Sequence, residues 1–261
     1  MNNISNLTAH LGPLGAVGTK GRSLTMSLGT VTHRVGLLSS LLAATMLLGG
    51  CSPQPAPTPD PQQSNLVGTA GLVDFDAGYL SIGNGPAIVD LYLDPICPYC
   101  KIFEASNGQF LFDKVDRNKA TLRIHPVAVL DRLSNGTNYP TRAAAALVDV
   151  AANHPGSLRD YLSSLYEHQP AENTAGLSNT ELTTLAEQAG ATLNWHSLQS
   201  QYEQWIHEHT AQALQGPLPT TDVSALQQVP TAIVSGRLCT GNSDQTARFV
   251  AFYATKSGVH Q

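Results

Sequence analysis

Residues 87–103, AIVDLYLDPICPYCKIF, join a short apolar run to two cysteines three positions apart. The run over Ala87–Leu93 is apolar and partly β-branched, a composition that predicts a buried strand. Pro98 directly follows Cys97 and suits the first turn of a helix, and apolar residues then recur at helical spacing. The stretch therefore predicts a strand that ends just before Cys97 and a helix that contains Cys100.

A second strand is predicted after that helix. The segment ATLRIHPVAVL, residues 120–130, returns to strand character. Its Pro126 indicates an edge strand or an irregularity, because proline cannot donate to the hydrogen-bond ladder of a sheet. Strand, helix and strand together predict a parallel βαβ unit.

Residues of helical character dominate the next hundred positions, and a hairpin and a helix close the chain. The third helical segment opens with a capping box formed by Ser178 and Glu181. The predicted fold class is α/β, in the order βαβ, a helical insertion over about residues 131–228, then ββα. The helical segments are 140–153, 157–168, 178–190 and 194–215, the hairpin is 229–239 with its turn at Ser235-Gly236, and the last helix is 243–258.

The first fifty residues are predicted to be an export signal. The apolar run VGLLSSLLAATMLLGG is too short to span a bilayer and has the length of a signal-peptide core. It ends in LGGC, Leu48 to Cys51, which resembles a bacterial lipobox and implies cleavage before Cys51 and diacylglycerol on its sulfur. An ordinary signal peptide or a short anchor is the alternative, and Met26 is an alternative start that would give a compact signal.

A spacer separates the predicted anchor from the folded part. Residues 51–64 begin with the anchored cysteine and continue as a proline-rich tract, which favours extended structure and cannot pack a core. The folded domain is then residues 65–261. Two acyl chains anchor a protein stably, so we expect localisation in the cell envelope, outside the cytoplasm and on the membrane surface.

The charge distribution excludes nucleic acid as a partner. All 19 acidic residues but only 11 of the 14 basic residues lie after Cys51. The folded part is therefore acidic, whereas binding to phosphates requires a basic face.

Cys97 and Cys100 form a C-x-x-C motif, which occurs in metal sites and in disulfide exchange. Zinc needs four ligands, and His207 and His209 lie two positions apart on a predicted helix and face apart. We therefore expect no metal and no cofactor, with a static structural disulfide as the other alternative.

Cys97 is predicted to be the reactive thiol because it stands at a helix start. Unpaired N–H groups and the helix dipole stabilise a thiolate there, which predicts a lowered pKa and an exposed nucleophile. Cys100, one turn into the helix, is then the more buried resolving thiol.

The segment VDLYLDPICPYCKIFE, followed by a helical insertion and VPTAIVSG, resembles the DsbA-like thiol:disulfide oxidoreductases of the thioredoxin superfamily. The resemblance covers about residues 80–257 and implies a thioredoxin fold. It further implies that Cys97 reacts with substrate, that Cys100 resolves, and that Pro230 is the superfamily's cis-proline. Val229 would then offer backbone groups to an extended substrate peptide. The dipeptide Pro98-Tyr99 differs from the Pro-His of the strongly oxidising members.

Three acidic residues near the motif and the remaining cysteine have separate predictions. Asp90, in the strand, is a candidate for the buried proton relay of the superfamily, with a solvated or hydrogen-bonded carboxylate as the alternative. Asp94 and Glu104 are expected to be surface charges or helix pairs. Cys239 is expected to be a buried, inert thiol in the second hairpin strand, with a role in dimerisation or mixed disulfides as the alternative.

These features favour an exported oxidase. It would pass the Cys97–Cys100 disulfide to folding secreted proteins with cysteines, and a membrane redox partner would restore it. A reductase or isomerase of the same fold is an alternative, although only residues 65–80 are available for a dimerisation domain. A substrate-binding lipoprotein with a structural disulfide is an alternative from another class.

Overall fold

The computed structural model describes residues 64–194, 197–218, 223–241 and 246–258. The predicted signal peptide, Cys51 and the spacer as far as residue 63 lie outside these ranges. The described chain forms seven strands, β1 Thr69–Ala70, β2 Val73–Asp74, β3 Tyr79–Ile82, β4 Ala87–Leu93, β5 Ala120–Pro126, β6 Thr231–Val234 and β7 Arg237–Leu238. Its α-helices are α1 Pro98–Asp116, α2 Tyr139–Asn153, α3 Leu158–Glu167, α4 Asn179–Gln188, α5 Gln199–Gln215 and α6 Thr246–Lys256.

The strands form one sheet in the order β1-β2-β3-β5-β4-β6-β7. β4 and β5 are parallel, with Leu91 opposite Ile124, and the other neighbouring pairs are antiparallel. This arrangement confirms the predicted βαβ unit and the hairpin of β6 and β7. Four helices, α2 to α5, lie between β5 and β6, so the helical insertion is also confirmed.

The edge-strand prediction for Pro126 is wrong. β5 lies inside the sheet, between β3 and β4, and Pro126 is its last residue. Three short strands over residues 69–82 cover the side of β5 that was expected to face solvent. Pro126 is tolerated because a strand end has no further ladder to continue.

Helix α2 packs closely against two other helices of the insertion because its contact residues are small. The alanines at 143–146 of α2 are all at most 1% exposed, and their small side chains allow close approach to α3 and α5.

α4 begins with the predicted capping box, in which the Ser178 hydroxyl accepts from the Glu181 N–H and the Glu181 carboxylate accepts from the Ser178 N–H.

Helices α1 and α6 pack together through aromatic edges. The Phe103 and Phe249 ring centroids are 5.2 Å apart, and those of Phe110 and Tyr253 are 5.3 Å apart, both in T-shaped geometry. Such pairs add to the stabilisation that burial of the rings supplies. The packing places the start of α6 beside α1, where the Thr246 hydroxyl donates to the Ser106 carbonyl at 2.9 Å.

Across the described ranges, no helix is both long enough and apolar enough to cross a bilayer.

Candidate active site

The end of β4 and the start of α1 hold the two cysteines. Cys97 is the extended residue that precedes α1, and Pro98 opens the helix. The Cys97 carbonyl accepts hydrogen bonds from the N–H groups of Cys100 at 3.0 Å and Lys101 at 3.2 Å. The first turn is therefore closed at Cys97, and the N–H groups of this turn remain near its sulfur.

Cys97 is not the exposed nucleophile that the sequence predicts. The residue is 2% exposed and Cys100 is fully buried, whereas Tyr99 between them is 61% exposed. Cys97 is covered because the loop before β6 lies over it, with the Cys97 thiol donating to the Val229 carbonyl at 3.4 Å. A substrate sulfur must therefore approach along this loop.

The peptide bond between Val229 and Pro230 is cis, as the resemblance implied. The Val229 carbonyl accepts the hydrogen bond from the Cys97 thiol, and β6 begins at Thr231, directly after Pro230. A second cis bond, Gly216–Pro217, follows α5 and was not anticipated.

The two thiols have opposite pKa shifts. The pKa of Cys97 is lowered to about 7, first by the hydrogen bond from the Cys100 thiol and then by the backbone N–H groups of Cys100 and Tyr99. Burial and the charge of Glu172 act against this shift. Burial is also the first cause that raises the pKa of Cys100 well above its usual range. At neutral pH, Cys97 is partly a thiolate while Cys100 keeps its proton.

This difference predicts a pH profile. In the reduced protein, alkylation of Cys97 by iodoacetamide should rise with pH and reach half its maximum near pH 7, because the thiolate is the reacting form. Cys239 is an internal control, since burial raises the pKa of its thiol. Mass spectrometry of the two cysteine peptides measures both rates. A Cys97 midpoint at or above about 8.5, the value of a free cysteine, would contradict the geometry.

Asp94 is the carboxylate beside the two thiols, and its prediction as a surface charge is wrong. It is fully buried, and its N–H donates to the Cys100 sulfur at 3.4 Å. Its two carboxylate oxygens accept from the N–H groups of Ile96 at 3.0 Å and Leu130 at 2.9 Å. Burial, the largest cause, raises its pKa to about 7 despite these two donors. Its position directly after a buried strand and before the motif is the sequence signal that was missed.

Asp90, the predicted proton relay, is engaged elsewhere. Its carboxylate lies 3.0 Å from His125 Nε2 and 4.0 Å from Arg123 Nη1. The His125 ring in turn stacks on Tyr92 with centroids 4.1 Å apart. Asp90 therefore matches the hydrogen-bonded alternative. The position beside Cys100 that the relay prediction gave to Asp90 is held by Asp94. Glu104 is half-buried on α1.

The helical insertion contributes two residues that the sequence did not indicate. The Gln169 side-chain amide donates to the carbonyls of Pro95 and Cys97, both at 2.9 Å. The buried Tyr166 hydroxyl donates to the Asp94 carbonyl at 3.4 Å. Both side chains hold the loop between β4 and α1, at a sequence separation of about seventy residues that leaves no local pattern to read.

Cys239 does not fit the prediction of a buried thiol within a strand. It is half-buried, follows β7, and donates its N–H to the Ala232 carbonyl at 2.8 Å. Its side chain lines a groove of about 550 Å³ that begins at Tyr99 and runs between α1 and α6. We call this the α1–α6 groove. Its other lining residues are Ile102, Phe103, Asn107, Gln228, Val229, Pro230, Ala232, Thr240, Gly241, Arg248 and Phe249.

A sequence model of the thioredoxin family matches residues 79–250, more than half of the chain. The protein therefore belongs to the thioredoxin family. The match spans the two cysteines, the helical insertion and the cis-proline loop.

Two solved structures refine this assignment. Reduced DsbA from Mycobacterium tuberculosis aligns with a TM-score of 0.56 and 24% identity, over 70% of this chain and 93% of that one. The reduced disulfide bond oxidoreductase DsbG of the same organism aligns with a TM-score of 0.53 and 26% identity, over 74% and 86%. Both likenesses confirm the predicted DsbA-like fold, and the likeness to DsbG, at 26% identity, supports a thiol–disulfide oxidoreductase.

The serine/threonine-protein kinase PknE of Mycobacterium tuberculosis is 33% identical over 120 residues. That stretch is 44% of this chain and 21% of the kinase. The chain thus matches about a fifth of the length of this curated relative.

Proposed function

We propose that the protein is an exported oxidase that passes a Cys97–Cys100 disulfide to secreted proteins with cysteines. The observation that carries the proposal is the pair of thiols with opposite pKa shifts at one helix start. A structural disulfide has no need of one thiol that ionises near pH 7, whereas disulfide exchange depends on it.

The reaction proceeds by two exchanges. A substrate thiolate attacks the Cys97 sulfur, the Cys97–Cys100 bond breaks, and Cys100 leaves and takes up a proton. A second substrate thiolate then attacks the substrate sulfur of the mixed disulfide and expels Cys97. Two substrate thiols are oxidised to a disulfide, and Cys97 and Cys100 are reduced. The lowered pKa of Cys97 favours the second exchange, because a more acidic thiol is a better leaving group.

The surroundings of the two thiols assist both steps. The Asp94 N–H points at the Cys100 sulfur and stabilises the charge that appears there when Cys100 leaves. The Val229 carbonyl lies beside the Cys97 sulfur, where the backbone of an extended substrate would pass. The α1–α6 groove continues from this point and offers room for the residues that follow the reacting cysteine.

The proposed direction of electron flow depends on the proposed localisation of the protein. A lipid-anchored protein outside the cytoplasm works in an oxidising compartment, where disulfides form and persist. Its partners would be folding proteins that arrive with free cysteines and a membrane redox protein that restores the disulfide.

A reductase is the second candidate because of one observation. The pKa of Cys97, lowered to about 7, lies nearer to that of the thioredoxin nucleophile, about 7, than to the value of about 3.5 in DsbA. A less stabilised thiolate makes the disulfide a weaker oxidant.

Equilibration with glutathione buffers tests the direction. The full chain with Cys51→Ser is incubated at graded ratios of reduced to oxidised glutathione, and the redox state of Cys97 and Cys100 is read by gel shift after alkylation. We expect a potential more positive than about −200 mV, on the oxidising side of the glutaredoxins. A value at or below about −270 mV, that of thioredoxin, would establish the reductase instead.

A further inference from the structure

The α1–α6 groove has apolar walls at the end next to Cys97. Tyr99 and Ile102 expose 61% and 38% of their surface there, and Pro230 and Phe249 complete the lining. When an apolar side chain of a bound polypeptide covers exposed aromatic and aliphatic side chains of this kind, the burial of their surface is favourable. The near end of the groove thus suits a hydrophobic residue adjacent to the reacting cysteine.

Arg248 stands further along the groove and is the cation among its lining residues. The residue is exposed on α6, and its Nη2 donates to the Thr240 hydroxyl at a distance of 3.5 Å. None of the ion pairs formed by the described residues includes Arg248. Its charge also reaches the groove interior, because it acts to lower the pKa of Cys239, against the larger effect of burial. A guanidinium in this state is available to a carboxylate of a bound chain.

The helical insertion places charges of both signs near the start of α1. Glu172 is close enough to raise the pKa of Cys97. The Lys101 ammonium lies against the same insertion, where it donates to the Glu167 carbonyl at 3.3 Å. A polypeptide that crosses Cys97 therefore meets Glu172 and Lys101 towards the insertion and Arg248 towards α6.

We infer that Arg248 makes the α1–α6 groove selective for substrate segments that carry an acidic side chain a few residues to one side of the reacting cysteine. This inference rests on the proposed function and specifies the substrate class of the same site. The hydrophobic neighbour of the cysteine lies against Tyr99 and Ile102, and the acidic side chain pairs with the guanidinium. The same segment with a lysine at that position is disfavoured by repulsion.

Peptide exchange kinetics test the inference. The full chain carries Cys51→Ser, Cys239→Ser and Cys100→Ala, so that Cys97 is its single thiol. Peptides with one cysteine between two phenylalanines are activated as mixed disulfides with nitrothiobenzoate. The Cys97 thiolate attacks the peptide sulfur and forms a disulfide with the peptide, and coloured nitrothiobenzoate leaves. Glu, Gln or Lys is placed two to four residues before or after the cysteine, and rates are measured at low salt.

For one of the two chain directions we expect the Glu peptide to react about two- to fivefold faster than the Gln peptide, the range of an exposed ion pair. Arg248→Glu should lower the Glu-to-Lys rate ratio about tenfold, because it replaces an attraction by a repulsion. Lys256→Glu is the matched control, since it makes the same charge change on the same helix outside the groove. Its ratio should equal that of the parent.

Equal Glu-to-Lys ratios in the parent and in Arg248→Glu would overturn the inference and leave the exchange reaction intact. If no peptide releases nitrothiobenzoate faster than with a Cys97→Ala protein, the proposed function fails as well. Arg248→Gln separates the loss of attraction from the added repulsion, and a melting curve of each variant verifies that it is folded.

Discussion

Cys100→Ala is expected to accumulate mixed disulfides with its substrates, whereas Cys97→Ala forms none. Cys97 has the lowered pKa and lies beside the Val229 carbonyl, so we expect it to form the bond with substrate. Cys100 has the raised pKa and is fully buried, so its sulfur is closed to an external substrate. Without Cys100 the covalent complex on Cys97 has no internal thiol to resolve it. Without Cys97, turnover should fall by several orders of magnitude, as when any enzymatic nucleophile is removed.

The measurement is non-reducing electrophoresis and mass spectrometry of each variant isolated from its native host, in a background that retains Cys51. The double variant Cys97→Ala, Cys100→Ala is the control for complexes formed through other thiols. Complexes trapped equally by all three variants would show that Cys97 is not the reacting residue. Absence of complexes, together with a ligand that still binds, would favour the substrate-binding lipoprotein over an enzyme.

Asp94→Asn is expected to change both stability and its dependence on pH. The asparagine offers one acceptor oxygen to the N–H groups of Ile96 and Leu130, so one buried donor loses its partner. An unsatisfied buried donor costs about 1 to 3 kcal/mol. We therefore expect the reduced variant to unfold at lower denaturant concentration than the parent at pH 4.5. Asp113→Asn is the matched control, because that carboxylate accepts from Gln109 at the surface and should change stability by less than about 0.5 kcal/mol.

The deficit of Asp94→Asn should shrink as the pH rises. Burial raises the pKa of Asp94 to about 7, so the folded parent binds a proton that the unfolded chain has released above about pH 4. The parent therefore loses stability between pH 4 and its folded pKa near 7, by roughly 2 to 4 kcal/mol. The asparagine variant has no such group. Urea denaturation of both proteins at pH 4.5, 6 and 8 measures the difference, and a deficit independent of pH would show that Asp94 titrates at its ordinary value.

The sequence was sufficient for the elements that have a strong local pattern. The apolar run of β4 and the Pro98 helix start were predicted within a residue, and the capping box of Ser178 and Glu181 was found as expected. Each of these depends on neighbours a few positions away. The cis-proline followed from family resemblance, since an isolated Val229-Pro230 pair has no local feature that distinguishes it from a trans bond.

Three features could not be predicted because they depend on contacts between distant segments. β1 and β2 have two residues each, too few to show a periodicity, and they form because β2 pairs with β3 and β1 pairs with β2. The choice between Asp90 and Asp94 depends on how the chain turns after Leu93. The burial of Cys97 depends on a loop 132 residues away.

The double hydrogen bond from Gln169 to the Pro95 and Cys97 carbonyls bears on how this domain could be re-engineered or exchanged between proteins. The helical insertion lies between β5 and β6, far along the chain from the loop that it contacts. One amide of the insertion holds the loop that carries Cys97. A chimera that imports another insertion without an equivalent amide would receive a new recognition surface and an untethered catalytic loop at once, so specificity and reactivity in this protein are inherited together.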